Sequence, residues 1–307
     1  MYQQTTLLDR LKSFFGSYSA LPVLILINVS IWLLIRFLGV FVFLFSSGEG
    51  NTLQVLNKFV TQWLAVPANV ELLLAKPWTL VTYMFLHLDF FHILFNMLWL
   101  FWFGQIFLQY LNNRQLTFTY ITGGLSGALI FILFYNIFPV FNADLPHALA
   151  LGASASVLAI VVAISFYVPN YTIYLLLLGP VKLKYIAIFS VIADFFMIQS
   201  GNAGGHIAHL GGALWGFIFI YAFKKGFDMS GFLKFNLLKP AFRLKRKRKS
   251  PFKNVYVNER PLTDEEYNLK KIENQKKIDR ILEKIKRSGY DSLSKEEKDF
   301  LFYNSRR

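Results

Sequence analysis

The sequence predicts an all-α membrane protein: a six-transmembrane-helix bundle with a small helical unit on its C-terminal side. Three observations lead there. Hydrophobic residues make up 55% of the 307 residues and charged ones 16%, against about 25% charged in a soluble domain. Apolar runs recur at residues 21–45, 80–108, 116–138, 150–168, 184–200 and 206–223, each near the roughly 20 residues that cross a hydrocarbon core. Charge is also split along the chain. Up to Phe223 there are eight Lys/Arg and six Asp/Glu, and from Lys224 onward twenty-four and twelve. The net +14 is therefore carried mainly by the tail.

Residues 1–20 form a cytoplasmic N-terminus. The first run is too long for a signal-peptide core and no small-residue cleavage site follows it, so it reads as a retained helix. Segment 46–79 is a long external loop, in which Trp63 and Trp78 suit the headgroup level. Within it, Val55–Leu64 has the spacing of a short helix lying in the membrane plane. Tyr167–Leu183, broken by Pro169, Gly179 and Pro180, reads as a cytoplasmic loop whose apolar part, Tyr171–Leu178, dips toward the interface. An even number of spans puts both termini on one side. Arg10, Lys12, Arg114, Lys182, Lys184 and the tail share that side against Lys58 and Lys76, and the positive-inside rule makes it cytoplasmic.

The membrane domain then covers 21–225, a basic linker 226–262, and a helical cytoplasmic unit 263–307. The linker run Arg243-Leu244-Lys245-Arg246-Lys247-Arg248-Lys249 is a topology anchor at anionic headgroups rather than a nucleic-acid site. Thr263-Asp264-Glu265-Glu266 and Ser294-Lys295-Glu296-Glu297 have the capping-box pattern, each opening a helix, with Gly289 ending the first.

Cysteine is absent, which excludes disulfides, thiolate metal sites and a cysteine nucleophile. Of five histidines, His87, His92, His206 and His209 sit in or beside apolar runs, where an ionisable residue suggests function; His147 is the fifth. His92 and Asn96 are i and i+4 and share a helix face. Both donate hydrogen bonds, which suits an oxyanion hole. Ser154 lies in Gly152-Ala153-Ser154-Ala155 near a helix start, where free backbone N–H groups and the positive dipole end favour a developing oxyanion. His209 is followed by Gly212 and Gly216 at i+3 and i+7, a small-residue face that lets helices pack backbone-close. Serine with a neighbouring base is the minimum apparatus of nucleophilic acyl transfer. His206 shares that face, but the glycines centre the closest approach on His209, so His209 reads as the base and His206 as a supporting residue.

Three elements in order, His87-x4-His92-x3-Asn96 on the second helix, Gly152-x-Ser154 on the fourth and Ala208-His209-x2-Gly212-x3-Gly216 on the sixth, resemble the rhomboid intramembrane serine proteases. The resemblance covers roughly residues 75–225. It implies a Ser154–His209 dyad without an aspartate, with oxyanion donors from His92, Asn96 and the Ser154 N–H. It also implies cleavage of single-pass transmembrane proteins near their outer ends, by a protein of the bacterial inner membrane that needs no cofactor or metal. The chain departs from the family at Ala155 (commonly glycine), at Leu158 (a ring-supporting tyrosine in some members) and at Trp78-Thr79 (a Trp-Arg pair).

Other chemistries lack their residues. No His-Glu-x-x-His helix occurs for zinc. An aspartyl enzyme needs two facing aspartates, whereas Asp194 alone sits well inside an apolar run, without an evident partner. Asp194 reads as paired with a helix terminus or placed near the external loop, not as catalytic. A transporter is disfavoured because no inverted repeat is visible. The competing class is a catalytically inactive rhomboid-like protein that binds membrane helices for quality control. The oligomeric state is not legible.

Overall fold

In a computed structural model, which describes residues 14–15, 19–45, 52–175, 179–199, 201–232 and 263–304, the apolar runs become helices. They are α1 (Ala20–Phe45), α2 (Phe90–Tyr110), α3 (Asn113–Ile137), α4 (Ser154–Tyr167), α5 (Leu183–Met197) and α6 (Ala203–Lys224). The protein is an all-α membrane bundle. The chain divides into two units, Met1–Arg243 and Leu244–Arg307.

Four of these helices, α1, α2, α3 and α6, are long and apolar enough to cross a membrane. α4 has 14 residues, or about 21 Å at 1.5 Å per residue, against a core of about 30 Å. A short helix is tolerated here because Ala155 to Ser165 are all buried within the bundle, so protein rather than lipid surrounds most of its length. α1 and α5 are the reverse case. Leu34, Phe37, Phe43, Phe189, Phe195 and Phe196 are exposed, as lipid-facing residues should be.

Polar groups tie the helices at chosen points. The Asn113 carboxamide oxygen accepts from the Ala20 N–H at 2.8 Å, capping α1. Asn28, fully buried, donates to the Tyr120 hydroxyl at 3.0 Å, and Tyr120 donates to the Met84 carbonyl. After α6, Asp228 accepts from Arg114 at 2.8 Å and Gln115 at 3.2 Å in the first turn of α3.

Two expected boundaries move. The second helix begins at Phe90 rather than at residue 80, because Leu86 is extended and Asp89 caps a new helix by accepting from the His92 N–H at 2.9 Å. His87 is therefore in the connection before the second helix, not on it. The fourth helix begins at Ser154 rather than at 150, because Leu149–Ala150 is a strand, β2, paired antiparallel with β1 (Val66–Pro67). A hydropathy run stays continuous through both breaks.

The segment between α1 and α2 holds a helix at Thr52–Leu64, with Val60 packed on Ile35, Ala65 and Leu86. Trp63 and Trp78 stack at 6.2 Å, and the Trp78 indole donates to the Trp63 carbonyl at 2.8 Å. The loop after α4 is a two-stranded hairpin, β3 (Thr172–Leu175) against β4 (Gly179–Lys182); the rest of the expected interfacial dip, residues 176–178, lies outside the described residues.

In the second unit, Thr263 and Glu266 form a capping box that opens α7 (Asp264–Ser288), and Gly289, at φ 76°, ends it. Ser294 and Glu297 cap α8 (Lys295–Asn304) in the same reciprocal way. The basic run 243–249 lies outside the described residues.

Candidate functional site

α4 and α6 meet backbone to backbone. A Cβ on Gly212 would fall on the Ala155 carbonyl oxygen, and one on Gly216 on that of Ala159, closer than real Cβ atoms approach. The four-residue step is the same on both helices, so they run parallel and in register. One turn toward their N-termini, the register brings His209 level with Gly152, two residues before Ser154. α3 supplies the third wall. The place of a Gly127 Cβ is 2.6 Å from the Ala155 methyl and 2.9 Å from the Ala208 carbonyl, which puts the neighbours of Ser154 and His209 at one point.

Ser154 is the first residue of α4, and the residue before it, Ala153, provides no side-chain cap. Ser154 is half-buried, and the helix's first N–H groups open beside it. The turn before it needs glycine: Gly152 has φ 122°, a region that L side chains rarely adopt. A Cβ there would also strike the His92 ring, 2.7 Å from Cε1 and 2.8 Å from Nε2, and would stand 3.7 Å from the Ser154 Oγ. His92 and Ser154 thus border one small space.

The loop is pinned from behind. The Gly152 N–H donates to the Tyr83 carbonyl at 2.9 Å, and the Ala153 N–H to His87 Nε2 at 3.3 Å. His87 is fully buried, with its ring 5.0 Å from that of His92. It holds the turn that carries Ser154. Tyr83 is a contributor that sequence reasoning missed; nothing local in Thr82-Tyr83-Met84 marks it. Asn96, buried, donates one amide hydrogen to the His92 carbonyl at 2.9 Å and keeps a second.

His206 and His209 both turn Nδ1 to one oxygen. His206 Nδ1 is 2.7 Å and His209 Nδ1 2.8 Å from Asp194 Oδ1. This corrects the expectation that Asp194 is paired with a helix terminus or the external loop: its partners are two imidazoles on the neighbouring helix. The available signal was the carboxylate inside an apolar helix, which hydrocarbon penalises unless it is paired. The three have the residue types of a metal site, with ligand atoms within 4.8 Å of one another. Donors around a tetrahedral zinc at about 2.0–2.1 Å stand about 3.3 Å apart, however, and contacts of 2.7 and 2.8 Å hold protons instead.

A short buried helix opening on a serine, inside a polytopic bundle with histidines gathered at that opening, defines a class of intramembrane protein. A family model described as a rhomboid domain matches residues 74–226. The chain belongs to the rhomboid family. RHOMBOID-like protein 12, mitochondrial, of Arabidopsis thaliana is 32% identical over 144 residues, an alignment covering 44% of this chain and 43% of that protein. Residues 263–307, which contain α7 and α8, match a family of unknown function, DUF6576.

Proposed function

We propose that this chain is an intramembrane serine endopeptidase that cleaves single-pass transmembrane proteins, with Ser154 as nucleophile and His209 as general base. The observation that carries it is the parallel backbone contact of Gly212 with Ala155, which brings the turn of α6 that holds His209 beside the N-terminus of α4. Ser154 Oγ attacks the peptide carbonyl while its proton passes to His209 Nε2. The oxyanion forms where the Ser154 N–H, the His92 ring and the free Asn96 hydrogen meet, and such donors act mainly in the transition state. His209 then gives its proton to the leaving amine, and water hydrolyses the acyl-enzyme by the reverse route.

The length of α4 supports the same reading. With its C-terminal end at one interface, a helix of about 21 Å stops roughly 10 Å inside a core of about 30 Å, so Ser154 lies within the bilayer at a depth that water reaches from one face. With the termini cytoplasmic, as the Lys/Arg distribution favours, that face is the external one. The membrane is that of a bacterial cell on this reading.

The direct test is a fluorophosphonate probe on the purified full chain. Wild type is expected to be labelled and Ser154→Ala not; equal labelling of the two removes the serine assignment. Asn96→Ala should lower kcat by on the order of tenfold to a thousandfold with a smaller change in KM. An unchanged kcat takes Asn96 out of the oxyanion hole.

A further inference from the structure

We propose that Asp194 is the positioning residue of this site, setting the tautomer and orientation of both histidines of α6 through one carboxylate oxygen. The inference rests on the reading of Ser154 and His209 as the reacting pair and adds a third helix, α5, to it. An ionised carboxylate only accepts hydrogen bonds. Both contacts to Oδ1 are made by Nδ1, at 2.7 Å and 2.8 Å, so each ring carries its proton on Nδ1. The proton-free nitrogen of each is then Nε2. A neutral histidine otherwise divides between two tautomers, and one of them, with the proton on Nε2, cannot take the serine proton at that nitrogen.

The surroundings say why the arrangement is held. Asp194 is one of three buried residues of α5, the others being Leu183 and Ala187, on a helix whose remaining face is strongly apolar. Its side chain is 12% exposed and that of His209 24%. The bond to Asp194 is the hydrogen bond that His209 makes among the described residues. Leu158, one turn past Ser154 and buried, offers neither a hydrogen bond nor an aromatic ring. His206 completes the device. Its ring lies edge-on to that of His209, centroids 5.8 Å apart at 84°, and as a second donor to Oδ1 it stops the carboxylate from swinging away. When His209 takes the serine proton it becomes a cation, and the same carboxylate stabilises it without itself being protonated.

The experiment uses the purified full chain and two readouts, kinetics on a transmembrane substrate and the 15N resonances of the histidine rings, with His206 and His209 assigned by the signals lost in His206→Gln and His209→Gln. Wild type should show both rings protonated at Nδ1. In Asp194→Ala the His209 ring should become a mixture of tautomers, kcat should fall on the order of a hundredfold, and KM should stay within about threefold. Asp194→Leu has nearly the same size and no acceptor, and serves if the alanine variant does not fold. It should lose kcat in a folded protein, with the His209 ring again a mixture of tautomers. Wild-type kcat in either folded variant overturns the proposal, and so does a fall in kcat with the His209 tautomer unchanged. Failure of the underlying reading is distinguishable: wild type would then resist the fluorophosphonate probe, while the tautomer shift would still be read.

Discussion

Ser154→Ala is expected to abolish cleavage of a single-pass substrate by the purified protein, and Ser156→Ala to leave it intact. The two hydroxyls are two residues apart, about 200° around the helix, and their surroundings differ accordingly. Ser154 opens α4, half-buried, beside the unpaired N–H groups of the first turn and the His92 ring. Ser156 is fully buried against α3, its Oγ 2.6 Å from where a Gly124 Cβ would stand, and it has no hydrogen-bond partner among the described residues. Removing the first takes away the nucleophile, and a loss of at least about four powers of ten is expected. Removing the second deletes an unsatisfied buried hydroxyl and should change stability by less than about 1 kcal/mol. Cleavage by a Ser154→Ala preparation free of host proteases would sink the serine mechanism and favour a rhomboid-like protein that only binds membrane helices.

Gly212→Ala carries the second large effect. Its methyl would fall on the Ala155 carbonyl oxygen, which is backbone and cannot turn aside as a side chain does. α4 and α6 must separate, at a cost of roughly 1–3 kcal/mol from overpacking. The same separation draws His209 away from Ser154, and a shift of about 1 Å in a reacting pair costs on the order of a hundredfold in rate. Gly205→Ala is the matched control on the same helix. There the atoms nearest the new Cβ belong to the Asn202 side chain, which can rotate, and alanine favours the helix. Gly212→Ala should therefore lower both melting temperature and kcat, with Gly205→Ala near wild type in both. Unchanged values in Gly212→Ala would mean that the close packing of these helices does not hold the site.

What the sequence determined by itself is what is local or periodic. Hydropathy runs set the number and order of the apolar helices, because burial in hydrocarbon depends on composition within one stretch. The capping boxes at Thr263 and Ser294 and the end at Gly289 were legible for the same reason: each is a bond between residues three or four apart. The glycines at 212 and 216 marked a close packing face, and α4 proved to be the partner. The interruption at Leu86–Asp89 was not legible, since it falls inside an apolar run and depends on the Asp89 cap. Nor was the β1–β2 pairing of Val66 with Ala150, which joins segments far apart in the chain. Asp194 is the clearest case. Its charge within an apolar helix could be read from the sequence, but its partners sit on another helix, and only the packing of α5 on α6 decided that one carboxylate oxygen would meet two imidazoles. Local energies select helices and caps, whereas a bond across helices depends on the rotation and depth of both, which the whole bundle sets together.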